Sequence, residues 1–124
     1  MWIDILGNNY FVNNLYDKIP ELDNIRVEEF SLLENGNEIK IIFDMPKFAD
    51  YPPEKWKGCN IVSIELNFWN IMYLEFKNNL IKLPYTCSIS IENKNYLKIT
   101  LFGSINCEFK AEVGVIQKVS AYYM

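Results

Sequence analysis

The sequence contains no histidine and only one arginine, Arg26. Without histidine, triads of the Ser-His-Asp or Cys-His kind are excluded, because no other side chain has an unperturbed pKa suited to proton transfer near neutrality. A single arginine is poor equipment for bidentate phosphate recognition. The glycines (Gly7, Gly36, Gly58, Gly103 and Gly114) are scattered, so neither a phosphate loop nor a dinucleotide fingerprint is present. The cysteines, Cys59, Cys87 and Cys107, are odd in number and far apart, which is unlike a secreted disulfide scaffold. They read as buried free thiols in a reducing compartment, and with no histidine beside them they suggest no metal site. The 16 acidic residues show no spacing that marks two carboxylates as catalytic partners. The chain is therefore expected to be neither an enzyme nor a cofactor binder.

Long apolar runs are missing as well. None approaches the roughly 18 residues that a membrane span needs. The opening Met1-Trp2-Ile3-Asp4 has no positive charge and an early acid, unlike a secretory signal. These features predict a cytoplasmic protein with no membrane partner.

What is present describes a globular chain. At 124 residues, half of them hydrophobic, it is long enough for one packed domain spanning 1–124 and too short for two. The net charge of −4 is unevenly spread. Residues 1–38 hold eight acids against two bases, whereas residues 39–124 hold eight acids against ten. An acidic N-terminal third disfavours nucleic acid, whose phosphates need a basic surface. It favours a basic partner drawn in by electrostatic steering.

Periodicity predicts one helix and then strands. Asn8 or Asn9 would cap a helix with an apolar stripe of Phe11, Val12, Leu15, Tyr16 and Ile19, stopped by Pro20. Beyond residue 24 the period becomes two. Asn35-Gly36 signals a hairpin between 25–33 and 38–45. Ile39, Ile41, Phe43 and Met45 then alternate with Lys40, Ile42 and Asp44, as Val62, Ile64, Leu66 and Phe68 do with Ser63, Glu65 and Asn67. A turn near Trp69-Asn70 is expected to start another strand over 71–77, with a break at Asn78, Asn79 and Pro84. Cys87, Ile89 and Ile91 form a further inward face, followed by Leu97, Ile99 and Leu101. Cys107, Phe109, Ala111, Val113 and Val115 form the last, and the tail to Tyr123 would extend that strand or add an eighth. The fold class is thus α+β and predominantly β. An N-terminal helix would plug a curled antiparallel sheet, or a two-layer sheet, of about seven or eight strands.

One stretch departs from this plain β pattern, the loop from Phe43 to Trp56. Pro46, Pro52 and Pro53 stiffen it, so it presents side chains at little entropic cost. Trp56 is expected to pin the loop to the sheet. Asp50, Tyr51 and Glu54 are the expected exposed recognition residues, together with Asp44 and Phe48, because rigid aromatic and charged groups dominate interface hot spots. Glu21, Asp23, Glu28 and Glu29 would extend this surface with negative charge.

Several features occur in a specific order. Gly7-Asn8-Asn9 precedes Leu15-Tyr16 and Pro20, and the Asp44 to Pro53-Glu54-Lys55-Trp56 loop follows the hairpin. Asn60 then leads into Ile64-Glu65-Leu66, and Ser120-Ala121-Tyr122 closes the chain. In this the sequence resembles the immunity protein 50 family of bacterial polymorphic toxin systems. The resemblance implies a cytoplasmic protein that binds and neutralises a cognate toxin domain by occupation, a role that needs no catalytic residues. A basic nuclease would suit the acidic N-terminal third. The alternative is a β-barrel or sandwich holding a small ligand among Trp2, Trp56, Trp69, Tyr73, Tyr122 and Tyr123. A third reading pairs an uncovered sheet face in a homodimer.

Overall fold

The computed structural model describes residues 1–77 and 85–124. Among the described residues there are six antiparallel strands: β1 (Ile25–Leu33), β2 (Glu38–Asp44), β3 (Ile61–Phe76), β4 (Thr86–Asn93), β5 (Leu97–Gly103) and β6 (Cys107–Tyr122). They close into a barrel in the order β1-β2-β3-β6-β5-β4. Closure is short, resting on the pairs Ile25↔Cys87 and Arg26↔Thr86 between β1 and β4. The longest ladder joins β3 to β6, from Ile61↔Tyr122 to Phe76↔Cys107.

Most of the alternation seen in the sequence becomes the barrel interior. Ile39, Ile41 and Phe43 are buried with Val62, Ile64, Leu66 and Phe68. Cys87, Ile89, Ile91, Leu97, Ile99, Leu101, Cys107, Phe109 and Ala111 complete the inner face. Phe68 meets Phe109 edge to face at 5.2 Å, and Phe30 meets Phe109 at 6.2 Å. The predicted hairpin joins β1 to β2 through a 3-10 turn at Glu34–Gly36, with Asn35 and Gly36 both at positive φ.

Three expectations need correction. First, β3 does not turn at Trp69-Asn70 but runs on for 16 residues, and β6 absorbs the C-terminal tail in the same way. That reduces seven or eight strands to six. Asn70 adopts φ 58°, a left-handed conformation that asparagine tolerates, and so kinks the strand without ending it. Its backbone N–H still donates to Asn37 O at 3.0 Å, and its side-chain amide donates to Glu112 at 3.2 Å. Second, the inward face of β6 changes register beside this kink. Val113 lies outside, whereas Gly114 and Ile116 point inwards, so the alternation of β6 slips by one between Ala111 and Gly114, across the ladder from Asn70. The predicted break at Asn78, Asn79 and Pro84 lies outside the described residues.

Third, the N-terminal helix is only one turn of α-helix, α1 (Tyr10–Asn13), preceded by a 3-10 turn at Trp2–Ile5. Asparagine side chains compete with the helix for its own backbone partners. Asn9 donates to Ile3 O at 3.0 Å instead of capping, and Asn14 donates back to Tyr10 O at 2.7 Å where the helix ends. The apolar stripe nevertheless packs as core at Val12, Leu15, Tyr16 and Ile19, and only Phe11 is left partly outside.

These first residues fill the opening where β6 leaves β5. Gly7 bridges to Val115 on β6, and Leu22 O accepts from the Ile89 N–H of β4 at 2.8 Å. Trp2, Ile3 and Leu6 are buried there, with Trp2 edge to face against Phe43 at 6.3 Å. Gly114 is required at the seam, since a Cβ would stand 2.7 Å from the Phe68 ring and 3.0 Å from Leu6. Gly114→Ala is therefore expected to cost about 1–3 kcal/mol by overpacking, read as a lower urea midpoint at unchanged m-value.

Candidate interaction surface

Beyond Asp44 the chain leaves the barrel as a loop that returns at Ile61. The loop is clamped at both ends and in the middle. Met45 N–H donates to Val62 O at 2.8 Å, and Asn60 N–H donates to Tyr122 O at 3.0 Å. Pro53 starts a 3-10 turn at Glu54–Trp56, closed by Trp56 N–H to Pro53 O at 2.9 Å. That turn places the Trp56 ring, 6% exposed, edge to face with Phe11 at 5.8 Å and beside Phe48 at 6.4 Å. Trp56 thus fixes the loop, as its size suggested.

The loop and the N-terminal turn are knitted into one surface. Tyr51 N–H donates to Leu15 O at 3.0 Å, and the Tyr16 hydroxyl donates to Lys47 O at 2.7 Å. Asp50 takes a 2.7 Å ion pair from Lys47 and the Asp17 N–H at 3.0 Å. These partners hold the Asp50 carboxyl below its usual range, Lys47 contributing most. Burial, with Asp50 nearby, pushes the Tyr16 phenol well above its ordinary value. The Tyr51 hydroxyl donates to the Asp17 carboxylate, which raises the Tyr51 phenol in turn.

The sequence-derived candidates occupy different depths of this structure. Tyr51 is 59% exposed, and Glu54, Glu21, Asp23 and Glu28 are also on the outside. Phe48 and Asp50 are half-buried supports, and Glu29 is held by Lys40 at 2.9 Å. Asp44 is only 7% exposed, so it underlies the surface. Its Oδ2 accepts from Arg26 at 3.2 Å and from the Tyr122 hydroxyl at 2.6 Å, while its Oδ1 is buried with no donor. Burial first, and Asp44 second, push the Tyr122 phenol up to about 12.

Two aromatic residues at this surface escaped the sequence reading. Tyr10 is 80% exposed and Phe11 40% exposed, both on α1, and Phe11 meets Trp56 of the loop. Treating Phe11 as helix core concealed it. The place of Phe11 beside the loop shows only in the fold, through its contact with Trp56.

Among the described residues, the remaining sequence-derived candidates do not gather into a ligand cavity or a metal site. Trp2 and Trp56 are core, whereas Tyr73 and Tyr123 lie outside, so the six aromatics proposed to line a ligand cavity do not converge. Cys87 and Cys107 are buried free thiols pushed up to about 11 and about 12 by burial, and Cys59 is half-buried. Among the described residues no group of three or more acidic, cysteine or histidine side chains is placed to hold a metal ion. No described helix is long and apolar enough to cross a membrane.

The sequence model of the family described as immunity protein 50 matches residues 8–122. No curated protein matches the chain. Among solved structures, a crystal structure of an uncharacterized protein from Neisseria gonorrhoeae is similar at TM-score 0.53 and 17% identity, covering 77% of this chain and 92% of that one. This likeness shows a shared fold.

Two outcomes follow from the clamps. Trp56→Ala is expected to cost about 3–5 kcal/mol in chemical unfolding, the usual loss for a buried aromatic. The lowered Asp50 pKa contributes stability that is fully present above the unfolded-state carboxyl pKa and lost as pH falls through the folded value. Asp50→Asn should therefore flatten the acid side of the stability profile, below the unfolded-state carboxyl pKa, relative to wild type.

Proposed function

Because the chain belongs to the immunity protein 50 family, we propose that it binds and neutralises a cognate bacterial toxin domain by protein–protein contact. The family match over residues 8–122 is the observation that carries this reading. Family membership implies a non-enzymatic role, in keeping with a sequence that offers no nucleophile–base pair. Neutralisation takes place in the cytoplasm, where the toxin acts, within a polymorphic toxin system.

The contact surface is the patch built by α1 and the loop from Pro46 to Trp56. Tyr10, Phe11 and Tyr51 supply rigid aromatic area, and Glu54 supplies charge beside them. Phe48 and Asp50 hold the patch from within, and Asp44 anchors the strand that feeds it. Such preorganisation lowers the entropy that binding would otherwise have to offset. Glu21, Asp23, Glu28 and Glu29 add negative charge around it, which suits a basic toxin, a nuclease being one such class.

The test is co-expression with the toxin encoded beside this gene. The wild-type chain should restore growth and co-purify with the toxin. A Tyr10→Ala, Tyr51→Ala double variant, mutated only at exposed rings, should stay folded and lose at least about tenfold in affinity. Persistent toxicity with no association of the wild-type proteins would refute the immunity reading.

A further inference from the structure

We propose that the tip of the β1–β2 hairpin is a site of covalent modification, at which Asn35 cyclises onto the Gly36 nitrogen, releases ammonia and is converted by water to aspartate and isoaspartate. This goes beyond the toxin-binding reading and does not depend on it. Residues 34–37 are all exposed. Three successive residues take positive φ, Glu34 at 52°, Asn35 at 56° and Gly36 at 89°. Such a conformation is uncommon outside glycine, and glutamate tolerates it less readily than asparagine does. A backbone bond from the Asn37 N–H to Glu34 O, at 3.1 Å, closes the turn, and the ladder resumes at Leu33↔Glu38.

The reaction needs a backbone nitrogen that can reach the side-chain carbonyl carbon of Asn35. Gly36 has no side chain to crowd that nitrogen, and even a Cβ placed there would meet nothing within 4 Å. At ψ 33° the nitrogen points away from Cγ of Asn35, so the peptide between them must rotate before the ring closes. Glycine permits this rotation, and it disturbs only the exposed turn. Ring closure forms a bond from Gly36 N to Asn35 Cγ and breaks the Cγ–Nδ2 bond. The Gly36 N–H proton leaves with the amide group as ammonia. Water then opens the cyclic imide at either carbonyl. Opening at the side-chain carbonyl gives aspartate, whereas opening at the main-chain carbonyl gives isoaspartate, whose peptide link runs through the side chain. Neither an oxidant nor a second substrate is required.

Other exposed asparagines precede bulkier residues, Asn14 before Leu15, Asn60 before Ile61 and Asn95 before Tyr96. Those side chains crowd the attacking nitrogen, and the Leu15 N–H is already held by Val12 O at 3.0 Å. The hairpin tip also rests on the kink in β3. The Asn70 N–H donates to Asn37 O at 3.0 Å, and the Asn37 side-chain amide donates to the Asn70 side-chain oxygen at 3.4 Å. Isoaspartate lengthens the backbone just before Asn37 and so displaces both contacts. Aspartate of ordinary linkage keeps the backbone length and adds only charge. Modification at the tip thus loosens the kink that lets β3 serve both walls of the barrel.

The test is incubation of the full chain at mildly alkaline pH, followed by trypsin, which releases the peptide from Val27 to Lys40. Fragment-ion mass spectrometry, with methylation by an isoaspartyl methyltransferase, reads each site. Asn35 should convert at least about tenfold faster than Asn14, Asn60 or Asn95, with isoaspartate among its products. An Asn35 that stays intact, or converts no faster than these three, would overturn the proposal. The Asn35→Asp variant, with its ordinary linkage, separates charge from backbone length. The urea midpoint of the isoaspartate-bearing fraction should fall below those of this variant and of fresh wild type. Equal midpoints for that fraction and the variant would overturn the link to the kink, while the mass data alone decide the modification site.

Discussion

The 16-residue ladder between β3 and β6 is the constraint on which the rest of the structure depends. Each strand spends half its length in one wall of the barrel and half in the other. β2 pairs with the first half of β3, and β5 pairs with the first half of β6. Two strands long enough to bridge both walls let six strands close where shorter ones would have to stop and turn. The kink at Asn70 makes this workable, because it swaps inward and outward faces midway without breaking the pairing. The opening created where β6 leaves β5 is then filled by the N-terminal residues, so Gly114 must be small and Leu6 must be buried.

The same ladder sets the interaction surface. Its lower end joins Ile61 to Tyr122, next to the exit of β2 and the return of the loop. Tyr122 crosses to Asp44, and Asn60 exchanges two side-chain hydrogen bonds with Met124, at 3.1 and 3.0 Å. Loop ends tied in this way transmit the rigidity of the sheet to Tyr51 and Glu54. The residues by which the sequence resembled its family, Asp44, Trp56, Asn60 and Tyr122, are thus largely the supports of the surface and not its outer layer.

Period-two alternation carried most of the fold information, since burial of one face dictates every second residue from Ile39 to Phe43, Val62 to Phe68 and Cys107 to Ala111. Asn70 misled because asparagine serves equally as a turn residue and as a left-handed kink inside a strand; only the partner strand decides between them. The N-terminal stripe misled in another way. Its apolar positions fit a helix and do become core, yet Asn9 and Asn14 spend their side chains on backbone carbonyls and hold the segment in turns. The loop was legible as stiff and pinned by Trp56, and Tyr51 and Glu54 as exposed. The depth of Asp44 was not, because its burial comes from Arg26 and Tyr122, which are 18 and 78 residues away in sequence. Phe11 was missed for the same reason, since its ring meets Trp56, which is distant in sequence.

The central claim is that this barrel neutralises a toxin through the surface shared by α1 and the loop from Pro46 to Trp56. Hydrogen–deuterium exchange of the full chain, alone and with the neighbouring toxin, tests it most directly. The account predicts toxin-dependent protection over residues 10–17 and 46–57, extending along β1 to Glu28 and Glu29. Protection confined to the opposite end of the barrel, around the turns at Glu34–Gly36 and Asn93–Asn95, would contradict it.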